Sequence, residues 1–160
     1  MIRVHDLQGV HSDLAEAWLL EMAPDLRQSD REEIAAMSAL DPADALLTSF
    51  WLSSHAWIVR SEGKPIAAFG AAPHPLPGVG VVWMLGTDAI RREAYGIARA
   101  SRGYMAEMSA DYPMALWNYI DPRNTVSMRW LRWGGFKLLG TTPMGPDQLP
   151  FNIFARSSLV

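Results

Sequence analysis

Gly86-Thr87-Asp88 closes a nearly all-apolar run, Val79–Leu85, and is the first place in the sequence where chemistry is expected. A glycine there permits close approach of another group to the main chain. Asp88 stands where a carboxylate can either take a proton or cap the helix that follows, and both roles remain open on residue type alone. A second group is Asn124-Thr125-Val126-Ser127-Met128-Arg129-Trp130-Leu131-Arg132-Trp133-Gly134-Gly135-Phe136, in which an Asn opens a short helix and a Gly-Phe closes it twelve residues later. Read locally, Asn124 is a helix cap and the glycines are a C-terminal stop. A third is the set Arg92, Arg99 and Arg102, spaced i, i+7 and i+10 along one helical stripe. They suit either a phosphate group or a solvated face. Arg makes up twelve of the fourteen basic residues, and its planar fork matches phosphate and carboxylate.

Other chemistries are excluded. With no cysteine in the chain there is no disulfide, thiolate metal site or Cys-bound intermediate. The four His, at 5, 11, 55 and 74, never fall at the i, i+4 spacing of a helical metal pair, so no metal site is expected.

The elements that must position these groups follow from periodicity. Ile2–Asp6 alternates and predicts a strand. Ser12 caps a helix whose apolar face is Leu14, Trp18 and Met22, and Ser29-Asp30-Arg31-Glu32 reads as a capping box for a second helix. Asp41-Pro42 starts a third, with Leu46, Leu47, Phe50 and Trp51 on one face. His55–Arg60 and Ile66–Ala71 predict two strands around a Gly63 turn, and Pro73–Gly78 an exposed loop. Val79–Leu85 predicts a central strand buried on both faces. A long helix spans 89–111, with Ile90, Ala94, Ile97, Ala98, Met105 and Met108 inward. Met114–Ile120 is a strand, 125–133 a short helix, and Phe136–Leu139 and Phe151–Ala155 are two closing strands joined by a Pro/Gly-rich loop. This order predicts an α/β domain, a mixed sheet with helices on both faces.

At 160 residues, 49% hydrophobic and 19% charged, the chain has the composition of one globular domain over 1–160. A net charge of −3 argues against a general nucleic-acid binder. The charge is uneven: residues 1–60 balance to −6 and residues 81–160 to +3, which leaves room for a local anion site in the second half. No run spans a bilayer and the first residues lack a signal peptide, so the expected setting is the cytoplasm.

The Asn124–Phe136 segment resembles the last signature of GNAT enzymes, the acetyl-coenzyme-A-dependent N-acetyltransferase superfamily. Trp83–Asp88, Leu116-Trp117-Asn118-Tyr119 and Asp121-Pro122-Arg123-Asn124 look like a bacteriophage family within that fold, described as internal virion proteins or acetyltransferases. The resemblance covers most of the chain. It implies a single GNAT-like domain with a mixed sheet of about six to seven strands, acetyl-CoA as the cofactor, and a host protein amine as the acceptor in the host cytoplasm. It leaves open a homodimer and packaging in the virion. It implies further that the backbone N–H groups of Leu85, Gly86 and Thr87 serve as oxyanion donors, and that Asn124 hydrogen-bonds the cofactor. Arg92, Gly96 and Ala98 would then form the phosphate site at the start of the long helix. Asp88 and Asn118 are expected nearest the acceptor amine, and Tyr119 replaces the missing proton donor. Two positions depart from the pattern. Glu93 stands where Arg or Gln is expected, and Leu131 where a Tyr is. They favour a second reading, a catalytically degenerate scaffold used in virion assembly or host interaction.

Overall fold

The computed structural model describes residues 1–157. In chain order it contains β1 (Ile2–Asp6), α1 (Ser12–Met22), a single 3-10 turn, α2 (Gln28–Met37), α3 (Pro42–Leu52), β2 (His55–Ser61), β3 (Lys64–Pro73) and β4 (Val79–Gly86). The second half contains α4 (Ile90–Asp111), β5 (Ala115–Ile120), α5 (Thr125–Trp133), β6 (Lys137–Met144) and β7 (Leu149–Arg156). All seven strands form one sheet in the order β1-β2-β3-β4-β5-β7-β6. The first four make an antiparallel meander. β5 runs parallel to β4, which demands a crossover, and α4 supplies it.

The two faces of the sheet carry separate cores. Ala56, Ile58, Ala68 and Leu85 pack under α1, α2 and α3. Trp57, Val82, Leu116 and Phe154 pack under α4 and α5, joined by Val59 and Ala67 beneath Ile90 and Ile97. β4 therefore has apolar partners on both sides, as its sequence predicts. Among the described residues no helix is long and apolar enough to cross a membrane.

Four local expectations are corrected. α1 buries Ala15, Leu19 and Met22 while Leu14 is 43% exposed; the small Ala15 is what lets the helix approach the sheet, and Trp18 stays at the edge with the Arg60 guanidinium over its ring. α2 begins at Gln28 with Arg27 at its N-cap and no side-chain cap bond, so Ser29 lies inside the helix. Trp51 of α3 is exposed, its indole N–H donating to Glu16. β6 and β7 are each eight residues long and meet at a tight turn rather than a long loop. Pro143 and Pro150 pair with each other at the outer end of the hairpin, beyond the last β5–β7 pair, where a missing N–H costs little.

Candidate active site

The parallel pairing of β4 and β5 lasts for only three residue pairs, Val79↔Ala115, Gly80↔Leu116 and Val81↔Trp117. Beyond them the strands diverge, and the Asn118 side chain bridges the opening by donating from Nδ2 to the Val82 carbonyl at 3.0 Å. Thr87 N–H donates to Ile66 on β3. Hydrogen-bond direction alternates along a strand, so Val82, Met84 and Gly86 turn their peptide groups away from β3 and toward the opening. A cavity of about 410 Å³ passes through this gap. On one side it meets Ile97, Tyr104, Met105 and Met108 of α4 with Trp130 and Leu131 of α5; on the other it meets Glu33, Ile34 and Met37 of α2 with Ala45 and Thr48 of α3.

The chain segment before α2 locks the far end of β4. Leu26 pairs antiparallel with Thr87, and Arg27 N–H donates to the Gly86 carbonyl at 2.9 Å. The buried Asp30 carboxylate accepts from Gly86 N–H at 2.9 Å and from the Arg27 guanidinium at 3.0 Å through two nitrogens. Burial raises the Asp30 pKa even against the neighbouring Arg27 charge. Gly86 has no room for a side chain, because a Cβ would collide with the Ile90 side chain and press on the Ile66 carbonyl. The glycine thus serves packing within the chain. Neither its N–H nor that of Thr87 is free in this structure, in contrast to the expectation that these donors face a ligand. The peptide group that faces the opening past the last β4–β5 pair is that of Met84.

One turn along α2, Glu33 faces the cavity. Its Oε1 accepts from Asp121 N–H at 3.0 Å and its Oε2 from Asn124 Nδ2 at 3.3 Å. Burial pushes its pKa up to about 7; the carboxylates of Asp30 and Asp121 add to the rise, while the two donors oppose it. Asn124 is itself 3% exposed: its Oδ1 caps α5 by accepting from Ser127 N–H, and its Nδ2 reaches Asp30 and Glu33. Its side chain is therefore occupied in fastening α5 to α2. Leu131 is 7% exposed, a member of the core between α4 and α5.

Tyr119 also borders the cavity. His74, in the loop after β3, accepts from Leu76 N–H at Nδ1 (3.0 Å) and contacts the Tyr119 hydroxyl at Nε2 (3.1 Å). With Nδ1 acting as acceptor, the imidazole proton is on Nε2 and is donated to the Tyr119 oxygen. The Tyr119 O–H is then directed elsewhere as a donor, and burial raises its pKa. His74 packs against Trp117 at 4.9 Å between ring centroids, which fixes the loop.

A second cavity, about 370 Å³, opens where the N-termini of α2, α4 and α5 converge, lined by Arg27, Asp88, Arg91, Ala94, Arg123 and Asn124 among others. It shares Trp130 with the first. Asp88 lies here, exposed, and apart from the cavity that holds Glu33, Asn118 and Tyr119. It is not a side-chain cap; Thr87 Oγ1 accepts the Ala89 N–H instead. Since α4 begins at Ile90, Gly96 and Ala98 fall in its second and third turns, where backbone N–H groups have intrahelical partners. A Cβ on Gly96 would meet Ile2 of β1 at 3.5 Å, so this glycine faces the sheet edge. Arg91, rather than Arg92, borders the cavity. Arg92 and Arg99 are exposed, and Arg102 stacks over Trp133 at 4.3 Å. Glu93 points away, accepting from Ser61 Oγ at 2.8 Å. The sequence reading missed Arg27, Asp30, Glu33 and Met84; the acidic spacing Asp30-x-x-Glu33, one helical turn apart, was the available signal for two of them.

The architecture is similar to that of solved N-acetyltransferases. The aminoglycoside acetyltransferase AAC(6')-Ib in complex with coenzyme A superposes with a TM-score of 0.64 at 18% identity, over 99% of this chain and 95% of that one. A protein described as a phosphinothricin N-acetyltransferase gives 0.68 at 14% identity, over 98% of each chain. A GCN5-related N-acetyltransferase from Kribbella flavida gives 0.64 at 20% identity, over 98% of this chain and 97% of that one. No family model and no curated protein sequence matches the chain. Its fold is the GNAT fold.

Proposed function

We propose that the chain is an acetyl-CoA-dependent N-acetyltransferase, the sequence reading now placed on different residues. The observation that carries it is the opening between β4 and β5 with a cavity running through the sheet, the carboxylate of Glu33 and the phenols of Tyr119 and Tyr104 at its wall. The donor fits what is present. The α4–α5 side of the cavity, with Ile97, Met105, Met108 and Trp130, suits an uncharged arm. The second cavity, which shares the Trp130 wall and is flanked by Arg91 and converging helix N-termini, suits phosphates. Bound there, acetyl-CoA supplies an acetyl group activated as a thioester.

The chain's own groups then divide the work. Met84 N–H, at the edge of the opening, is placed to stabilise charge on a carbonyl oxygen, the part assigned from sequence to Leu85, Gly86 and Thr87. Glu33, rather than Asp88, accepts the proton of an incoming ammonium; a carboxyl near 7 is well matched to that task at neutral pH. The amine nitrogen would form the new N–C bond as the thioester C–S bond breaks. The Tyr119 O–H, whose oxygen accepts from His74, would give its proton to the departing sulfur and be restored by the second proton of the nitrogen. Asn118 bridges the diverging strands and Asn124 holds Glu33.

The phage-type resemblance supports a host protein amine as the acceptor, a homodimer as an assembly, and the host cytoplasm or virion as the setting. A second reading, the non-catalytic scaffold, is favoured by the closed hydrogen bonds at Gly86 and Asn124. Thermal melting with millimolar acetyl-CoA separates the two. Binding at 100 times the dissociation constant adds about 2.7 kcal/mol of stability; the absence of any shift overturns the enzyme reading.

A further inference from the structure

We infer that the α2–α3 side of the cavity takes a primary amine at the end of an unbranched apolar stem, the chemistry shared by a lysyl side chain and a free alkylamine. The inference rests on the acetyltransferase reading for the fate of the amine, but its binding argument stands on the lining. Among the residues that line this cavity, Glu33 is the only Asp, Glu, Lys, Arg or His. The rest of that side is uncharged, Ile34, Met37 and Trp83 with the hydroxyl residues Ser38, Thr48 and Ser49, and the one polar atom of Trp83 is turned away, its Nε1 donating to Ser53 Oγ at 2.7 Å.

The charge balance follows. A single ammonium is matched by the single carboxylate, whose two oxygens each keep accepting capacity beyond the bonds from Asp121 and Asn124. A second cation along the stem would lie beside Ile34 and Met37 with no counter-charge among the lining residues. Polyamines and aminoglycosides are therefore poor occupants, even though one structural relative binds kanamycin with coenzyme A. An apolar stem gains affinity with each methylene it buries. The cavity selects against charge and for length.

The test uses the whole chain and four probes: n-hexylamine, Nα-acetyl-lysinamide, spermidine and kanamycin. Binding is measured by calorimetry without acetyl donor at pH 8, and acetylation by mass spectrometry with it. At that pH an alkylamine is still cationic and Glu33 is ionised. Hexylamine or Nα-acetyl-lysinamide is expected to bind, and to be acetylated, at least tenfold better than spermidine and kanamycin. Their order relative to each other separates a free amine from a lysyl side chain. Glu33→Gln should weaken hexylamine at least tenfold. Thr48→Asp, on the exposed rim of α3, should improve spermidine by introducing the missing second carboxylate. Spermidine or kanamycin binding as well as hexylamine overturns the inference, and so does a Glu33→Gln protein of full affinity. If acetyl-CoA shifts the melt and hexylamine does not bind, this inference fails alone. If hexylamine binds and acetyl-CoA gives no shift, the enzyme reading fails and the amine site stands.

Discussion

The backbone N–H of Gly86 donates to the carboxylate of Asp30 across 56 residues of sequence, at 2.9 Å and out of contact with water. This bond ties the end of β4 to the first turn of α2, and so sets how Glu33 enters the cavity. Removing the carboxylate strands the Arg27 guanidinium, 7% exposed, without its partner. Asp30→Ala should cost about 3–5 kcal/mol, the range for an uncompensated buried charge. Urea unfolding checks it, and the double change Arg27→Met with Asp30→Leu should recover much of the loss.

Glu33 makes stability and activity respond to pH in opposite senses. Its pKa rises from 4.5 to about 7 on folding, so between those values the folded protein holds a proton that the unfolded chain has lost. The stabilising contribution is complete below 4.5 and disappears as pH passes 7, an amount of about 3 kcal/mol at most. The groups that act on it are the carboxylates of Asp30 and Asp121, the Asp121 N–H and the Asn124 amide. Glu33→Gln should flatten the dependence of melting temperature on pH between 5 and 8. Turnover in the native protein should instead rise with an inflection near 7. The variant should lose that inflection and about two to four orders of magnitude in rate.

Tyr119→Phe removes the hydroxyl that His74 supports. A fall in kcat of about a hundredfold is expected, with acetyl-CoA affinity unchanged, since the cavity wall keeps its shape. His74→Ala should give a smaller fall, and His74→Gln, which retains an N–H donor, should restore part of it. Steady-state kinetics that move only KM would show both residues to be wall and not proton handlers.

Gly96→Ala and Arg91→Glu should part company. The first replaces a mid-helix glycine where a Cβ finds ordinary contact with Ile2; it should raise stability by up to about 1 kcal/mol and leave acetyl-CoA affinity intact. The second reverses a charge at the mouth of the second cavity and should weaken acetyl-CoA by about tenfold or more, with a salt-dependent deficit. Titration calorimetry at two ionic strengths measures both.

The sheet was legible because β2, β3 and β4 alternate or run apolar between turn residues, and because Asn124 and Gly134-Gly135 punctuate α5. Ile34 and Met37 announced α2 but not its start, which is set by Arg27 pairing with residues near 86 rather than by a local cap. The site was harder to read for the same reason. The resemblance put the phosphate site at Arg92, Gly96 and Ala98, yet the chain after β4 enters its helix at Ile90 after a three-residue turn, and the first turn closes on itself through bonds to Thr87, Asp88 and Ala89. Glu33 lies 88 residues from Asp121, and no spacing rule links them. Its unusual proton affinity belongs to an environment assembled from three elements, so it is invisible until they meet.

The divergence of β4 from β5 also divides the molecule mechanically. Residues 2–86 supply four strands of the sheet and residues 115–156 the other three, and three residue pairs join the blocks along the sheet. The seam has few main-chain bonds to resist separation. Helix packing, and the clasp of Asn124 on α2, must carry the cohesion instead. A shallow breathing motion along that seam, with each block staying intact, would widen the passage through the sheet without unfolding any strand.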